Sequence, residues 1–220
     1  MEDLNEAIVL GRDALALRPL GHPDRSMSLD NLALYLSSLY KQLGVIGNLN
    51  EAIVLGRDAL ALRTLGHPHR STSLNNLALH LFAWYNQLGE VEDLDEAIAL
   101  DRHALALRPP GYPDCSMSLN NLAVRLSTRC RQLGAIDDLH EAIVLARDAL
   151  ILYPPGHPGR SGSLDNIAHH LYSRFTRSSK LEDKEELFSL YAQLAHLPSM
   201  VSSADLSAAR TPNRQPAGVL

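Results

Sequence analysis

Three histidines return in register along this chain: His22, His67 and His157 each sit in a Gly-His-Pro triplet, at multiples of a 45-residue step. Histidine is the commonest transition-metal ligand, so a repeated metal site is the first chemistry to weigh. Ligands must converge to about 2 Å from one ion. Equivalent residues on stacked helix pairs lie roughly 10 Å apart. The third copy also carries Tyr112 in place of histidine. The histidines are therefore expected to shape loops. His67/His69 and His169/His170 lack any further Cys or carboxylate at ligand spacing. Cys115 has no histidine at a fixed offset, and Cys130 occupies the register position of Tyr40 and Tyr85, which makes it a core residue. No G-x-x-x-x-G-K, G-x-S-x-G, H-E-x-x-H or C-x-x-C motif occurs. No catalytic residue, cofactor or metal is expected.

Binding is the chemistry left, and the elements that would carry it follow from the repeat. Leu-Asn-Glu-Ala-Ile begins at Leu4 and at Leu49, Leu-Asp-Glu-Ala-Ile at Leu94, and Leu-His-Glu-Ala-Ile at Leu139. Residues 4–48 and 49–93 agree at 32 of 45 positions. A period of this size means a solenoid or a propeller. No segment alternates apolar and polar residues with period 2, which excludes the propeller. Aromatic residues make up only 5% of the chain and hydrophobic residues 45%, a balance that favours helices over β-sandwiches.

Each unit contains two amphipathic patterns. In residues 28–44, Leu29, Leu32, Ala33, Leu36 and Tyr40 share one stripe, here called helix A. Gly44, Gly89 and Gly134 are placed to end it, and Ser26, Ser71, Ser116 and Ser161 to cap its start. In residues 48–63, Leu49, Ala52, Ile53, Ala59 and Leu60 recur at helical spacing, here called helix B. Asn48/Glu51, with Asp3/Glu6, Asp93/Glu96 and Asp138/Glu141, has the spacing of a capping box. Two breakers within each five-residue connection, as in Pro19-Leu20-Gly21-His22-Pro23, Pro109-Pro110-Gly111-Tyr112-Pro113 and Pro154-Pro155-Gly156-His157-Pro158, stop helix B.

The expected domain spans residues 1–197, with repeats starting near 4, 49, 94 and 139. Residues 1–18 form a B helix without its own A, and residues 180–197 a degenerate last helix. Residues 198–220, rich in Ser, Ala and Pro, read as a disordered tail.

Small residues seven apart in helix B, with Pro five later, appear as Ala7, Ala14 and Pro19; Ala97, Ala104 and Pro109; Ala142, Ala149 and Pro154. The second copy has Ala52 and Ala59 but Thr64 in place of Pro, and helix A carries Ala33, Ala78, Ala123 and Ala168. This pattern resembles the tetratricopeptide repeat (TPR). The longer unit, Leu-Asn-Asn-Leu-Ala at residues 74–78 and 119–123, and the Gly-His-Pro loop resemble its kinesin light chain type. The resemblance implies an all-α, right-handed α-α superhelix of about four hairpins. The family's bulky residue four after the first helix-B alanine is here Gly11, Gly56, Asp101 or Ala146. Leu10, Leu55, Leu100 and Leu145, one residue earlier, are candidates to take over its packing.

The resemblance also implies a concave groove lined by helix A, and hence a scaffold for an extended or helical peptide. The candidate contacts are Asn31, Asn76, Asn121 and Asn166, with Asn75, Asn120, Leu79, Phe82 and Val124. An amide donates and accepts, so it pairs with a peptide backbone whatever its side chains. The competing reading is that these asparagines bond within the stack and that Phe82 packs on a neighbouring helix. The Lys/Arg clamp that some relatives use for terminal carboxylates is missing. A second function class is a sensor arm of a larger signalling protein with an NTPase or caspase-like partner domain. Net charge is −5, so a nucleic-acid partner is not expected. No apolar run reaches membrane-span length and no secretory signal begins the chain, which points to the cytoplasm. The unpaired face of the first helix is a candidate for self-association.

Overall fold

A computed structural model of the chain describes residues 2–108 and 115–195. The described residues are all-α, with no strand. Their helices are α1 (Glu2–Ala16), α2 (Arg25–Leu43), α3 (Ile46–Leu62), α4 (Arg70–Leu88), α5 (Val91–Ala106), α6 (Cys115–Leu133), α7 (Ile136–Ile151), α8 (Arg160–Ser178) and α9 (Leu181–Ala195). The chain divides into residues 1–155 and residues 156–220.

In the first unit α1 precedes three helical hairpins, α2–α3, α4–α5 and α6–α7, which form an α-α solenoid. Each odd helix from α1 to α5 also packs on the even helix that follows it. The alanines make this possible. Ala52, Ala59, Ala78, Ala97, Ala104 and Ala123 have no exposed surface, so helix backbones approach closely where a larger side chain would hold them apart. One core cluster gathers Leu49 and Ile53 of α3, Leu77, Ala78 and Leu81 of α4, and Ala97 of α5, with Trp84 packed against it. Such a core spans a repeat junction, so no hairpin buries its apolar face alone.

The A helices end as their glycines demand. Gly44 and Gly89 take φ of +69° and +84°, and their N–H groups donate to Tyr40 O and Tyr85 O at 2.7 Å. The left-handed conformation is open to glycine at no steric cost. The starts differ from the expected caps. α2, α4 and α8 begin at Arg25, Arg70 and Arg160, so Ser26, Ser71 and Ser161 lie inside the first turn. Asp24, His69 and Gly159 occupy the cap position without a side-chain cap bond. At α3, α5 and α7 the capping boxes do not form, for a related reason. Helix B starts about a turn earlier, where Asn48, Asp93 and Asp138 donate their N–H to Val45 O, Glu90 O and Ala135 O at 3.1–3.2 Å. These backbone bonds satisfy the donors a capping side chain would have taken.

The loop histidines hold their own turns. Nδ1 of His22, His67 and His157 accepts the N–H of Asp24, His69 and Gly159 at 3.0–3.1 Å. Tyr112 and the rest of its loop lie outside the described residues, as do residues 198–220.

The departure at Gly11 and Gly56 has a packing cause. A Cβ on Gly56 would stand 3.4 Å from Leu77 Cδ1 and 3.6 Å from His80 Cδ2; one on Gly11 would stand 3.3 Å from Leu32 Cδ1 and 3.7 Å from Tyr35 Cδ2. The small residue admits the next A helix. Leu55 and Leu100 pack at the core edges as expected, whereas Leu10 is exposed.

In the second unit α8 packs on α9. Arg174 forks onto Asp183, Nε to Oδ2 at 3.0 Å and Nη2 to Oδ1 at 2.6 Å, and Leu187 and Leu190 of α9 are buried.

Candidate functional site

On α2 and α4 the two residues of the Asx-Asn pair face different ways. Asp30 of α2 is buried and belongs to the stack. Arg63, at the end of α3, donates through Nη1 to Asp30 Oδ2 at 2.5 Å, to Ser73 Oγ at 2.6 Å and to His69 O at 2.9 Å. Its Nε donates to Ser26 Oγ at 3.2 Å, and Ser73 Oγ donates to Asp30 Oδ2 at 2.7 Å. One guanidinium thus ties α2, α3 and α4 together. Burial pushes the Asp30 carboxyl up despite the pull of Ser73 and Arg63.

One repeat later Asn75 takes the place of Asp30. With its oxygen turned towards the donors, it accepts from Arg108 Nη2 at 2.7 Å, Arg108 Nη1 at 2.8 Å and Ser118 Oγ at 2.8 Å. Arg108 also donates to Ser118 Oγ. Asn75 is buried, and its amide is spent on bonds to Arg108 and to Ser118 of α6. Asn120, half-buried, likewise has partners within the chain.

The second residue of the pairs on α2, α4 and α6 is open to solvent. Asn31 is exposed, and Asn76 and Asn121 are half-exposed. None of their amides has a hydrogen-bond partner among the described residues. Leu34, Leu79 and Val124, three residues further along α2, α4 and α6, are half-exposed beside them. Neighbouring A helices touch directly: Tyr40 Oη donates to Gln87 Oε1 at 3.0 Å, and the Ser73–Asp30 bond joins the same two helices. The three amides share one register position on α2, α4 and α6, and the three aliphatic residues another. Asn31 also lines a cleft of about 350 Å³ between α1 and α2, with Leu10, Arg18 and Tyr35. Asn166 occupies the matching position on α8 in the second unit, where it has partners within the chain.

Phe82 follows the competing reading. Its ring stacks on Tyr85 at 6.2 Å between centroids, and the Arg125 guanidinium lies 5.2 Å above it. It packs, partly buried, on the edge of the core cluster formed by α3, α4 and α5. Arg125 is itself buried and donates from Nη1 to Asp101 Oδ2 at 2.5 Å. Burial outweighs pairing for both groups: the Asp101 carboxyl is pushed up to about 6 and the Arg125 guanidinium is pulled down.

Two buried histidines carry no hydrogen bond on either ring nitrogen, His80 on α4 and His170 on α8. Burial lowers both to about 4, with Lys41 adding to the effect on His80 and His169 on His170. They are neutral at pH 7. Among the described residues no cluster of His, Cys, Asp or Glu could hold a metal ion. Cys115 begins α6, and both it and Cys130 are buried thiols outside any disulfide.

The B helices are joined to one another by exposed ion pairs: Arg12–Glu51, Arg57–Glu96 and Arg102–Glu141, at 2.7–2.9 Å. The buried Arg63 and the Arg108 network were not anticipated. The available signal is an arginine at 18, 63 and 108, directly before the loop, with Ser28, Ser73 and Ser118 always ten residues on.

No family model matches the chain, and no curated protein matches its sequence. Solved structures do match its fold. A Podosopora anserina kinesin light chain with nearly identical TPR-like repeats aligns at a TM-score of 0.61 and 21% identity, covering 88% of this chain and 89% of that one. A point variant of that same protein aligns at 0.62, also with 21% identity, over 87% and 88% of the two chains. BtubC (BKLC) from P. vanneervenii aligns at 0.63 and 17% identity, over 99% of this chain and 80% of that one. The fold is that of kinesin light chain-like TPR repeats.

Proposed function

We propose that this protein is an interaction scaffold that holds a peptide segment against the exposed face of α2, α4 and α6. The observation that carries this reading is the row Asn31, Asn76 and Asn121, three solvent-facing amides in repeat register without partners of their own among the described residues. An amide left free at the same place in the three repeats of the first unit serves stacking in none of them, whereas its neighbours Asp30 and Asn75 do. Each free amide can donate to a peptide carbonyl and accept from a peptide N–H. The adjacent Leu34, Leu79 and Val124 supply apolar area. The similarity of the fold to TPR-like repeats fits a scaffold that has no chemistry of its own. The described helices include none long and apolar enough to cross a membrane.

The test is selection from a random peptide display library with the purified chain, then titration of the selected peptides. Asn76→Ala and Asn121→Ala each weaken binding by about 1 kcal/mol per lost hydrogen bond. Undiminished affinity in both variants, or a library that enriches nothing, removes the proposal.

A further inference from the structure

We infer that the cleft between α1 and α2 is a docking site for an α-helix of a partner protein that presents an aspartate or asparagine to Arg18. Arg18, Arg63 and Arg108 hold one register position, just past α1, α3 and α5. Arg63 bonds in two directions. Forward, it donates to His69 O at 2.9 Å and to Ser73 Oγ of α4 at 2.6 Å. Backward, it donates to Ser26 Oγ at 3.2 Å and to Asp30 Oδ2 at 2.5 Å, both on α2, the A helix of its own hairpin. Arg108 likewise takes Ser118 of α6 ahead and Asn75 of α4 behind. Arg18 makes the forward bonds alone, from Nη1 to Asp24 O at 3.4 Å and to Ser28 Oγ at 2.6 Å. Its Nε and Nη2 have no partner among the described residues, and Arg18 lines the cleft.

The cleft, of about 350 Å³, is walled on the α1 side by Ala7, Leu10, Gly11 and Ala14. Their register counterparts on α3 are Ala52, Leu55, Gly56 and Ala59. Ala52 shares a core cluster with Ala33 of α2, and Leu55 packs against it. The cleft wall thus repeats the surface that α3 offers to α2, but it is open. Ala52 and Ala59 have no exposed surface, whereas Ala7 and Ala14 are half-exposed and Leu10 is 59% exposed. Small wall residues let a helix backbone approach closely. Arg18 is the one charged residue of the lining, so an occupant gains from a carboxylate or amide there and has no other charge to match. On α2 the acceptor Asp30 lies three residues before Ala33, a spacing that puts both on one helix face. The occupant is accordingly a helix with Asp or Asn three residues before a small residue, on an otherwise apolar stripe. A second copy does not supply it: Asp30 is held by Arg63, Asn75 by Arg108, Asn120 has partners within the chain, and α8 packs on α9.

The experiment titrates the full chain with a synthetic peptide of the sequence of residues 25–44, which spans α2, the helix paired with α3. Two further peptides carry Asp30→Asn and Asp30→Ala. The asparagine peptide binds within about threefold of the parent peptide, and the alanine peptide about tenfold or more weakly. In the Arg18→Ala chain the aspartate and alanine peptides bind alike, because the group that tells them apart is gone. Leu10→Lys, on the exposed wall, keeps the parent melting temperature and weakens the parent peptide about tenfold. Asn76→Ala leaves all three affinities in place, which separates this cleft from the peptide face proposed above. Equal binding of the aspartate and alanine peptides to the parent chain overturns the inference. So does a difference between them that survives Arg18→Ala, or a parent peptide that shows no binding at about 1 mM. A dimer of the chain alone in sedimentation, abolished by Leu10→Lys, overturns it as well, because it assigns the cleft to a second copy.

Discussion

Arg125 of α6 and Asp101 of α5 form an ion pair of 2.5 Å in which neither side chain has more than 2% of its surface exposed. The corresponding pairs at the earlier junctions are Gly11 with Tyr35 and Gly56 with His80. Each junction thus has its own complement: a large or charged residue on helix A faces a small or oppositely charged one on the preceding helix B. In a chain whose first two units agree at 32 of 45 positions, these contacts set one junction apart from the next.

Removing one partner of a buried pair leaves the other charged and desolvated. Asp101→Ala is expected to cost about 3–5 kcal/mol. Asp101→Gly combined with Arg125→His installs the pair found at Gly56 and His80, and recovers most of that loss. Urea denaturation of the single and double variants checks this. A double variant as unstable as the sum of its singles would show that the pairs are not complements.

The Arg63 network gives a milder contrast. Asp30→Asn puts at this junction the residue that accepts from Arg108 at the next one, and is expected to cost under about 1.5 kcal/mol. Asp30→Ala strands Arg63 among Ser26, Ser73 and the His69 carbonyl, and costs about 3 kcal/mol or more. Equal losses for the two variants in thermal or chemical melts would mean that Asp30 acts by charge alone.

His80 and His170 set an acid sensitivity with a definite sign. Each is lowered to about 4 in the folded chain, against an ordinary value near 6.5. The unfolded chain binds the proton first, so stability is lost as pH falls from about 6.5 towards 4, by about 2 kcal/mol per histidine between pH 7 and 5. Asp101, raised to about 6, works the other way, because its folded form takes up a proton before its unfolded form. A His80→Leu variant isolates one contribution: its stability difference from the parent changes by about 2 kcal/mol between pH 7 and pH 5, in favour of the variant. A difference that stays constant with pH would place His80 in contact with water or a partner.

The exposed ion pairs on the B helices are worth less. Glu96→Gln breaks the pair with Arg57, whose groups are 51% and 36% exposed, and is expected to cost under about 1 kcal/mol. The loss disappears in about 1 M salt, where screening acts within about 3 Å. A larger loss that persists in salt would give the pair a packing role.

Much of this architecture is readable from residue types alone. Ala52, Ala59, Leu49 and Ile53 announce helix B, and Gly44 and Gly89 end helix A where the chain needs a positive φ. The histidine loops follow from the ligand-convergence argument. What the periodicity hides is the second inward arc of each A helix. The leucine stripe of α2 faces the B helices, but Asp30 and Ser26 face α3 and α4 through a polar network, and a polar contact leaves no mark in a hydrophobic period. That is why Asn75 and Asn76 look alike in sequence although one residue of rotation separates a buried amide from a half-exposed one. It is also why Ser26 resembles a cap while serving Arg63, and why Phe82 resembles an anchor while lying under Arg125.

The division of labour between those two asparagines is open to one paired measurement: melting temperature and affinity for a library-selected peptide in Asn75→Ala and Asn76→Ala. Asn75→Ala, which strips Arg108 and Ser118 of their acceptor, is expected to lower the melting temperature by several degrees and to leave affinity within twofold. Asn76→Ala is expected to leave the melting temperature in place and to weaken binding about fivefold. Loss of affinity in Asn75→Ala at unchanged stability, or a fall in melting temperature for Asn76→Ala with affinity intact, would contradict the assignment of one asparagine to the stack and the other to the ligand.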